Sequence, residues 1–319
     1  MRTPLIIIII VSLFSSCTQD KKIEIARKNW VNNVYDSLLI PNHNSFYNSL
    51  LMDDHINILL EKWQALSYYN IHEVANNFKF NQIAKWPVDT NLINELYTSG
   101  DFSNFNKIGS ATKGLYAISY VYYSSKFDSN ITLKTELIDA YRTNLISKYE
   151  DIDIIFSNMK ADLTYDKSVS STFSELINQI ISKVEQIKKS KLGKPLGKGN
   201  YGYIDLTKVE APYSKISLDL LLADLMHLND LILSMKSMLD EQSLFINSSL
   251  MSDTILYKID TIKKLINSSS DPSLQNFIND HYIDANRLYD LCLELLFLIK
   301  IDLANACEVT VTFSDNDGD

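Results

Sequence analysis

The chain has 319 residues, of which 46% are hydrophobic and 22% charged, and its formal net charge is −9 at pH 7. A surface of that sign repels nucleic-acid phosphates and anionic lipid headgroups, so the composition argues against both as partners and fits cations or basic partners better. The chain has only eight Gly and six Pro residues. Because these residues punctuate turns and β-structure, their scarcity favours long helices.

The N-terminal segment predicts a lipoprotein signal. Arg2 is followed by an apolar run of ten residues that ends at Phe14, and Ser15-Ser16-Cys17 comes next. The run is too short to span a bilayer as a helix but has the length of a secretory signal. Small residues that end in a cysteine resemble a lipobox. We therefore expect residues 1–16 to be a lipoprotein signal peptide that is removed.

Removal of the signal would make Cys17 the first residue and the site of lipid attachment, palmitate included. Several acyl chains on one residue hold a protein to a membrane far better than a single chain does. Residues 17–22 would form a tether, and the remaining 29 basic and 39 acidic residues carry a formal charge of −10. The expected location is the bacterial cell envelope, with the outer membrane favoured, and the lipid anchor makes the membrane a partner.

Apolar residues at helical spacing predict a first helical bundle over residues 23–190. Its predicted helices, in chain order, are Ile23–Leu39, Phe46–Lys79, Gly114–Tyr123, Leu133–Met159 and Ser168–Lys189. Pro41 is expected to end the first of them, because proline disrupts a helix interior.

A cluster of glycines marks the middle of the chain. Gly193, Gly197, Gly199 and Gly202 lie together with Pro195, whereas residues 115–192 and 203–317 contain no glycine. This composition predicts a linker over residues 191–206 between two adjoining bundles.

The second bundle is predicted over residues 207–319, together with a C-terminal tail. Its helices are Ile216–Phe245, Ser248–Ile266 and Pro272–Leu303, and Val309–Phe313 reads as a strand-like, extended segment. Cys292 and Cys307 are separated by about 22 Å if the intervening residues are helical, which is too far for a disulfide. The predicted fold class is therefore all-α, with two helical bundles and a short extended tail.

Four parts of the mature chain, in this order, resemble the imelysin family of bacterial envelope proteins. They are Trp63 followed by Ile83–Asp89 with its Trp86-Pro87 pair, Lys113–Tyr120, Leu192–Lys198 together with Val209–Leu218, and Ser314–Asp319. The resemblance implies a helical fold over essentially the whole mature chain. It also implies a relationship to an insulin-cleaving membrane peptidase and to proteins of iron uptake.

The central motif of that family is Gly-x-His-x-x-Glu, to which its metal site is attributed. His and Glu three residues apart on a helix share a face and can both reach one cation. The corresponding residues here are Gly114, Tyr116 and Ser119. A neutral phenol and a neutral hydroxyl bring no charge to offset dehydration of an ion, so this motif is degenerate and we predict no metal and no cofactor.

A less favoured alternative is that Tyr116, with other tyrosines near it, binds iron or haem as a phenolate. The favoured interpretation is that these tyrosine rings pack in the core. The five histidines are scattered without the spacing of a zinc site. Among the positions that resemble the entry to the second half, Glu210 and Tyr213 have no assigned role, and Ser214 is a candidate helix cap.

No nucleophile elbow, zinc-protease motif or phosphate-binding loop is present, so we predict no catalytic residues. Three functions remain open. The first is a non-enzymatic envelope lipoprotein that serves iron or nutrient uptake, with an outer-membrane uptake receptor as a candidate partner. The second is a divergent metallopeptidase of the imelysin type, and the third is a structural or interaction module without a ligand.

Overall fold

The computed structural model describes residues 21–102, 105–163, 166–199, 202–242, 244–246 and 248–312. The predicted signal peptide, Cys17 and the end of the tail, residues 313–319, lie outside this part of the chain. Within it the fold is all-α, as predicted, with one two-stranded antiparallel hairpin as its sheet. None of the helices described is both long and apolar enough to cross a bilayer.

The elements of the first half are α1 (21–34), α2 (Ile40–Leu51), α3 (Ile56–Leu66), α4 (His72–Asn76), α5 (Lys79–Ile83), α6 (Thr90–Ser99), α7 (Leu115–Tyr123), α8 (Ile131–Asp162) and α9 (Asp166–Gln186). Those of the second half are α10 (Ser217–Glu241), β1 (Phe245–Ile246), β2 (Ser249–Leu250), α11 (Met251–Asn267), α12 (Leu274–Asp280), α13 (Tyr282–Phe297) and α14 (Ala304–Ala306).

The prediction that Pro41 ends the first helix is wrong. A π-helical turn, Tyr35–Leu39, joins α1 to α2, and Pro41 lies in the first turn of α2. The N–H of Ile40 bonds the carbonyl of Tyr35, five residues earlier. In an α-helix, proline loses a hydrogen bond and clashes with the carbonyl four residues before it. The wider π turn changes that spacing, so the helix continues.

Two other long helices predicted from periodicity are interrupted. Phe46–Lys79 is divided among α2 to α5, and the first break comes at Asp53, whose φ of 59° is left-handed. His55 then caps α3 by accepting from the N–H of Asn57 at 3.4 Å. The predicted Pro272–Leu303 helix is broken at His281, between α12 and α13. Periodicity continues across such breaks because the flanking helices bury the same core.

The tail is extended but is not a strand where the structure describes it. Residues 309–312 have no strand partner and are held by Asn178 of α9, which donates to the carbonyl of Thr310 and accepts from the N–H of Thr312. These two bonds take the place that a neighbouring strand would fill. The strand-like sequence of the tail is therefore extended, as predicted, but its described residues are not part of a sheet.

Helices from both sides of the predicted linker contribute to one hydrophobic core. α10 packs against α3, and the indole of Trp30 donates to Ser234 Oγ at 2.8 Å, which ties α1 to α10. A π-helical segment, Ile187–Gly193, extends α9 into the start of the predicted linker. The division into two bundles stays a prediction, but Lys191, Glu210 and Asp224 are buried together where the two halves meet.

α7 packs against α3 and α8, and its residues Leu115–Val121 are all buried. A helix that is apolar on all sides is typical of a core position. It begins at Gly114, which has φ of +83° and ψ of −169° and forms an isolated antiparallel bridge with Ala84. This backbone region is essentially restricted to glycine.

Replacing Gly114 with alanine should destabilise the protein. A Cβ at this position would lie 2.3 Å from the carbonyl oxygen of Ile83. Backbone strain and steric overlap together are expected to lower the free energy of unfolding by about 3 kcal/mol or more. The matched control is Gly109→Ala, where a Cβ meets nothing within 4 Å and φ is −64°. Urea unfolding that gave both variants equal stability would contradict this account.

Candidate functional site

A cluster of charged and polar side chains is buried where α3, α7, α9 and α10 meet. Its members, called the ionic cluster below, are Gln64, Tyr116, Lys183, Lys191, Glu210 and Asp224, each no more than 7% exposed. Burial of so many charged groups is rare unless they are paired with one another.

Lys191 is the centre of the ionic cluster. Its Nζ lies 2.6 Å from Glu210 Oε2, 2.6 Å from Asp224 Oδ2 and 3.0 Å from Gln64 Oε1. Burial alone would lower the pKa of this lysine, but the charges of Asp224 and Glu210 outweigh burial and raise it. Lys191 is therefore an ammonium ion that is bound by oxygens from three separate parts of the chain.

Lys183 neutralises the other side of Asp224, with 3.1 Å between its Nζ and Asp224 Oδ1. Two α-helical turns take about seven residues and a π turn adds about one, so the eight-residue spacing brings both lysines to one face. Burial outweighs the attraction of Asp224 and lowers the pKa of Lys183. Burial would raise the pKa of Asp224, but the two ammonium groups hold it below its usual value.

Tyr116 closes the cluster on the side of α7. Its hydroxyl donates to Glu210 Oε1 and accepts a long hydrogen bond of 3.4 Å from Gln64 Nε2. Burial, and then the charge of Glu210, raises the pKa of Tyr116 well above the usual value for tyrosine. The phenol is thus a neutral donor, which argues against the phenolate alternative.

Next to the ionic cluster, two buried tyrosines in the 3-10 turn Ser67–Tyr69, which follows α3, pack against a histidine of α10. Tyr68 donates to the backbone carbonyl of Asp224 at 3.1 Å, and the ammonium of Lys183 lies 5.3 Å from the centre of its ring. The hydroxyl of Tyr69 lies 3.0 Å from His227 Nε2. Burial lowers the pKa of His227 to about 4, so this imidazole is neutral at pH 7.

The sequence matches the family model described as Imelysin over residues 60–288. The chain belongs to the imelysin family. This range includes every member of the ionic cluster. No curated protein shows significant similarity to the sequence.

Two solved structures have the same fold. An imelysin-like protein from Psychrobacter arcticum 273-4 aligns with a TM-score of 0.73 and 16% identity, over 91% of this chain and 98% of its own. A provisionally named iron-regulated protein A precursor from Parabacteroides distasonis ATCC 8503 aligns with a TM-score of 0.66 and 15% identity, over 87% and 94%. At these identities the likeness concerns the fold.

The positions that correspond to the imelysin Gly-x-His-x-x-Glu motif are only partly brought together. Tyr116 belongs to the ionic cluster, and Gly114 forms the start of its helix. Ser119 is buried, but its hydroxyl makes no hydrogen bond within the described part of the chain. Only Tyr116, of the two residues that replace the motif's ligands, therefore takes part in the cluster.

The three positions at the entry to the second half also have different roles. Glu210 belongs to the ionic cluster, whereas the ring of Tyr213 packs against that of Tyr120 at 4.5 Å. The expectation that Ser214 caps a helix is wrong. Its hydroxyl donates to the carbonyl of Ala211, and α10 begins three residues later, at Ser217, without a side-chain cap.

The histidines have separate partners. His43 contacts Tyr149 and Asp153, His55 caps α3, and His281 lies between α12 and α13. His72 lines a cleft of about 600 Å³, where it pairs with Glu175 at 3.1 Å. Cys292 and Cys307 are buried free thiols, and burial raises the pKa of each to about 12.

The ionic cluster does not fit a divalent metal ion. The carboxyl groups of Glu210 and Asp224 are already paired with the ammonium groups of Lys183 and Lys191. Tyr116, at the motif position, contributes a protonated phenol. Among the residues that the structure describes, no three His, Cys, Asp or Glu side chains converge as metal ligands would. Near the degenerate motif, Lys191 supplies the positive charge beside Glu210 and Asp224.

Sequence reasoning missed Gln64, Lys183, Lys191 and Asp224. The only local signal is at Asp224, which lies within the apolar run Leu220–Leu225. A single acid on the buried face of a helix must have a partner, but its sequence does not say which. The glycines that follow Lys191 predict a linker at this residue, whereas the structure places it in the π-helical segment Ile187–Gly193.

Replacing Asp224 with asparagine should destabilise the protein strongly, because Lys183 and Lys191 would lose their shared counter-ion. Breaking a buried ion pair costs about 3–5 kcal/mol. The matched control is Asp260→Asn, which removes an exposed, solvent-screened pair with Lys264 and should change the stability little. Urea unfolding at pH 7 measures both. A cost for Asp224→Asn as small as that of the control would show that the cluster does not stabilise the fold.

The stability of the protein should fall between pH 6.5 and pH 5, in part through His227. The unfolded imidazole takes up a proton near pH 6.5 and the folded one only near pH 4, so unfolding binds a proton in this interval. Lowering the pH to 5 should remove about 2 kcal/mol of stability through this group. His227→Gln cannot titrate and should show a smaller loss in urea unfolding. Equal losses in both proteins would contradict the assignment.

Proposed function

We propose that this imelysin-family protein is a non-enzymatic, lipid-anchored protein of the bacterial cell envelope. In this proposal it serves the uptake of iron or another nutrient by binding a ligand or a neighbouring outer-membrane receptor. The observation that carries the proposal is the ionic cluster at the position of the family's motif. Its oxygens are engaged by Lys183, Lys191 and Tyr116.

A metallopeptidase needs a metal with an open position for water or substrate. The ionic cluster has the opposite character, since its charges are balanced internally and its side chains are buried. Tyr116 and Ser119 also supply no anionic ligand near neutral pH. This donor chemistry supports a binding role over the divergent metallopeptidase.

Three further observations support the envelope and uptake parts of the proposal. The sequence Ser15-Ser16-Cys17 after an apolar run is typical of a lipoprotein signal, and the outer membrane is its favoured destination. One structure with the same fold carries iron regulation in its name. A formal charge of −9 is compatible with cationic ligands and basic receptor surfaces.

The proposal can be tested in a strain from which the gene has been deleted. We expect reduced accumulation of radioactive iron under iron limitation, restored by the intact gene. Cys17→Ala should not be lipidated, should leave the membrane fraction and should restore accumulation poorly. Restoration by Cys17→Ala to the level of the intact gene would contradict the need for an anchor. Unchanged iron accumulation in the deletion strain would restrict the proposal to other nutrients, which growth on defined media identifies.

A separate assay tests the non-enzymatic part. The purified protein is incubated with a peptide mixture and with insulin, with and without added divalent metal, and the products are read by mass spectrometry. We expect no cleavage. Metal-dependent cleavage that is lost in Glu210→Gln would overturn the proposal in favour of a peptidase.

A further inference from the structure

We infer that Lys191 supplies, from within the chain, the cation that the ionic cluster is built to bind, and that its ammonium group takes the place of a metal ion. The inference concerns the interior of the protein and goes beyond the proposed role in uptake. It starts from the three oxygens around Lys191 Nζ, which come from Glu210, Asp224 and Gln64 at 2.6, 2.6 and 3.0 Å.

The chemistry of these oxygens is that of a cation site. Two carboxylates and an amide carbonyl are the ligand types that hard divalent cations take in proteins. They come from α3, from α10 and from the segment before α10, so the folded chain brings them together. Within the described residues, Glu210 Oε2 is buried and makes no polar contact other than its ion pair with the Lys191 ammonium. It is therefore a ligand directed at this one cation.

The second oxygen of Glu210 is held in place by the Tyr116 hydroxyl. A donor behind a carboxylate ligand fixes its orientation, as hydrogen bonds to metal ligands commonly do. On the other side, Lys183 holds Asp224 Oδ1 at 3.1 Å and leaves Oδ2 to Lys191. The Tyr116 hydroxyl and the Lys183 ammonium thus orient the two carboxylates that contact Lys191.

Charge shows why the cation is required. Without Lys191, two buried carboxyl groups would share the single ammonium of Lys183, which lies beside Asp224. The cluster would then have an uncompensated buried negative charge, which proteins avoid by binding a cation or by unfolding. Truncation of Lys191 to alanine removes three methylene groups and the ammonium while Glu210, Asp224 and Gln64 remain. This variant should accept a cation from solution.

The test uses the full-length protein purified in detergent, with Lys191→Ala as the informative variant and thermal unfolding as the readout. The two probes are Mn²⁺ and propylammonium, which has the length of the deleted part of the side chain. Lys191→Ala should unfold at a lower temperature than the natural protein. Each probe should raise its Tm in proportion to the logarithm of the probe concentration, by about 4 °C at a hundred times the dissociation constant.

The matched control is Lys236→Ala. Lys236 also lies between two carboxylates, 2.7 Å from both Asp240 Oδ2 and Asp253 Oδ1, but it is partly exposed. Neither the control nor the natural protein should respond to the probes. The triple variant Lys191→Ala, Glu210→Gln, Asp224→Asn should also lose the response, because the anionic oxygens are gone.

The outcomes separate as follows. A response of Lys191→Ala to both probes, absent from the controls, supports the inference. A response to propylammonium alone would overturn the claim that Lys191 takes the place of a metal ion. The absence of any response would overturn the claim that the cluster is a cation site. Binding of Mn²⁺ by the natural protein that Glu210→Gln abolishes would also overturn the inference. If Lys191→Ala is insoluble, it is refolded from urea in the presence of each probe. Recovery of folded protein with both Mn²⁺ and propylammonium supports the cation site, and recovery with neither overturns it.

Discussion

Charge compensation in the interior is the constraint on which the centre of this structure depends. Asp224 is fully buried on α10, where a carboxylate without a partner would cost several kcal/mol. Lys183 and Lys191 supply two ammonium groups from α9 and its π-helical extension, and Glu210 balances the second of them. These pairs hold the end of α9, the segment before α10 and α10 itself in one relative position. The glycine-rich turns that follow Lys191 must therefore return the chain to this point.

The residues at the family's motif positions suit this interior chemically. A protonated Tyr116 donates to Glu210 and adds no charge next to that carboxylate. Lys191 supplies the positive charge that a metal ion would otherwise bring. The loss of His and Glu from the motif and the presence of an internal ammonium are thus two parts of one arrangement. A cluster that is electrically balanced within the chain does not need an ion for folding.

The neighbouring aromatic residues make this balance effective. Tyr68, Tyr69 and His227 exclude water from the contact between α3 and α10, and ion pairs are stronger where the dielectric is low. The neutral state of His227 adds no further positive charge beside Lys183. The charged groups of the ionic cluster are therefore paired with one another in a dry interior.

The scarcity of glycine and the apolar stripes were sufficient to predict an all-α protein, because helix periodicity and turn residues are local properties. The order of the motif segments was sufficient for the family. The continuation of the helix through Pro41 was not predictable, since a π turn depends on packing. Nor was the partnership of Gln64, Lys183, Lys191 and Asp224, which lie as much as 160 residues apart. Their attraction acts only after the hydrophobic core has brought the helices together, and for that reason the tertiary structure alone decided what fills the site.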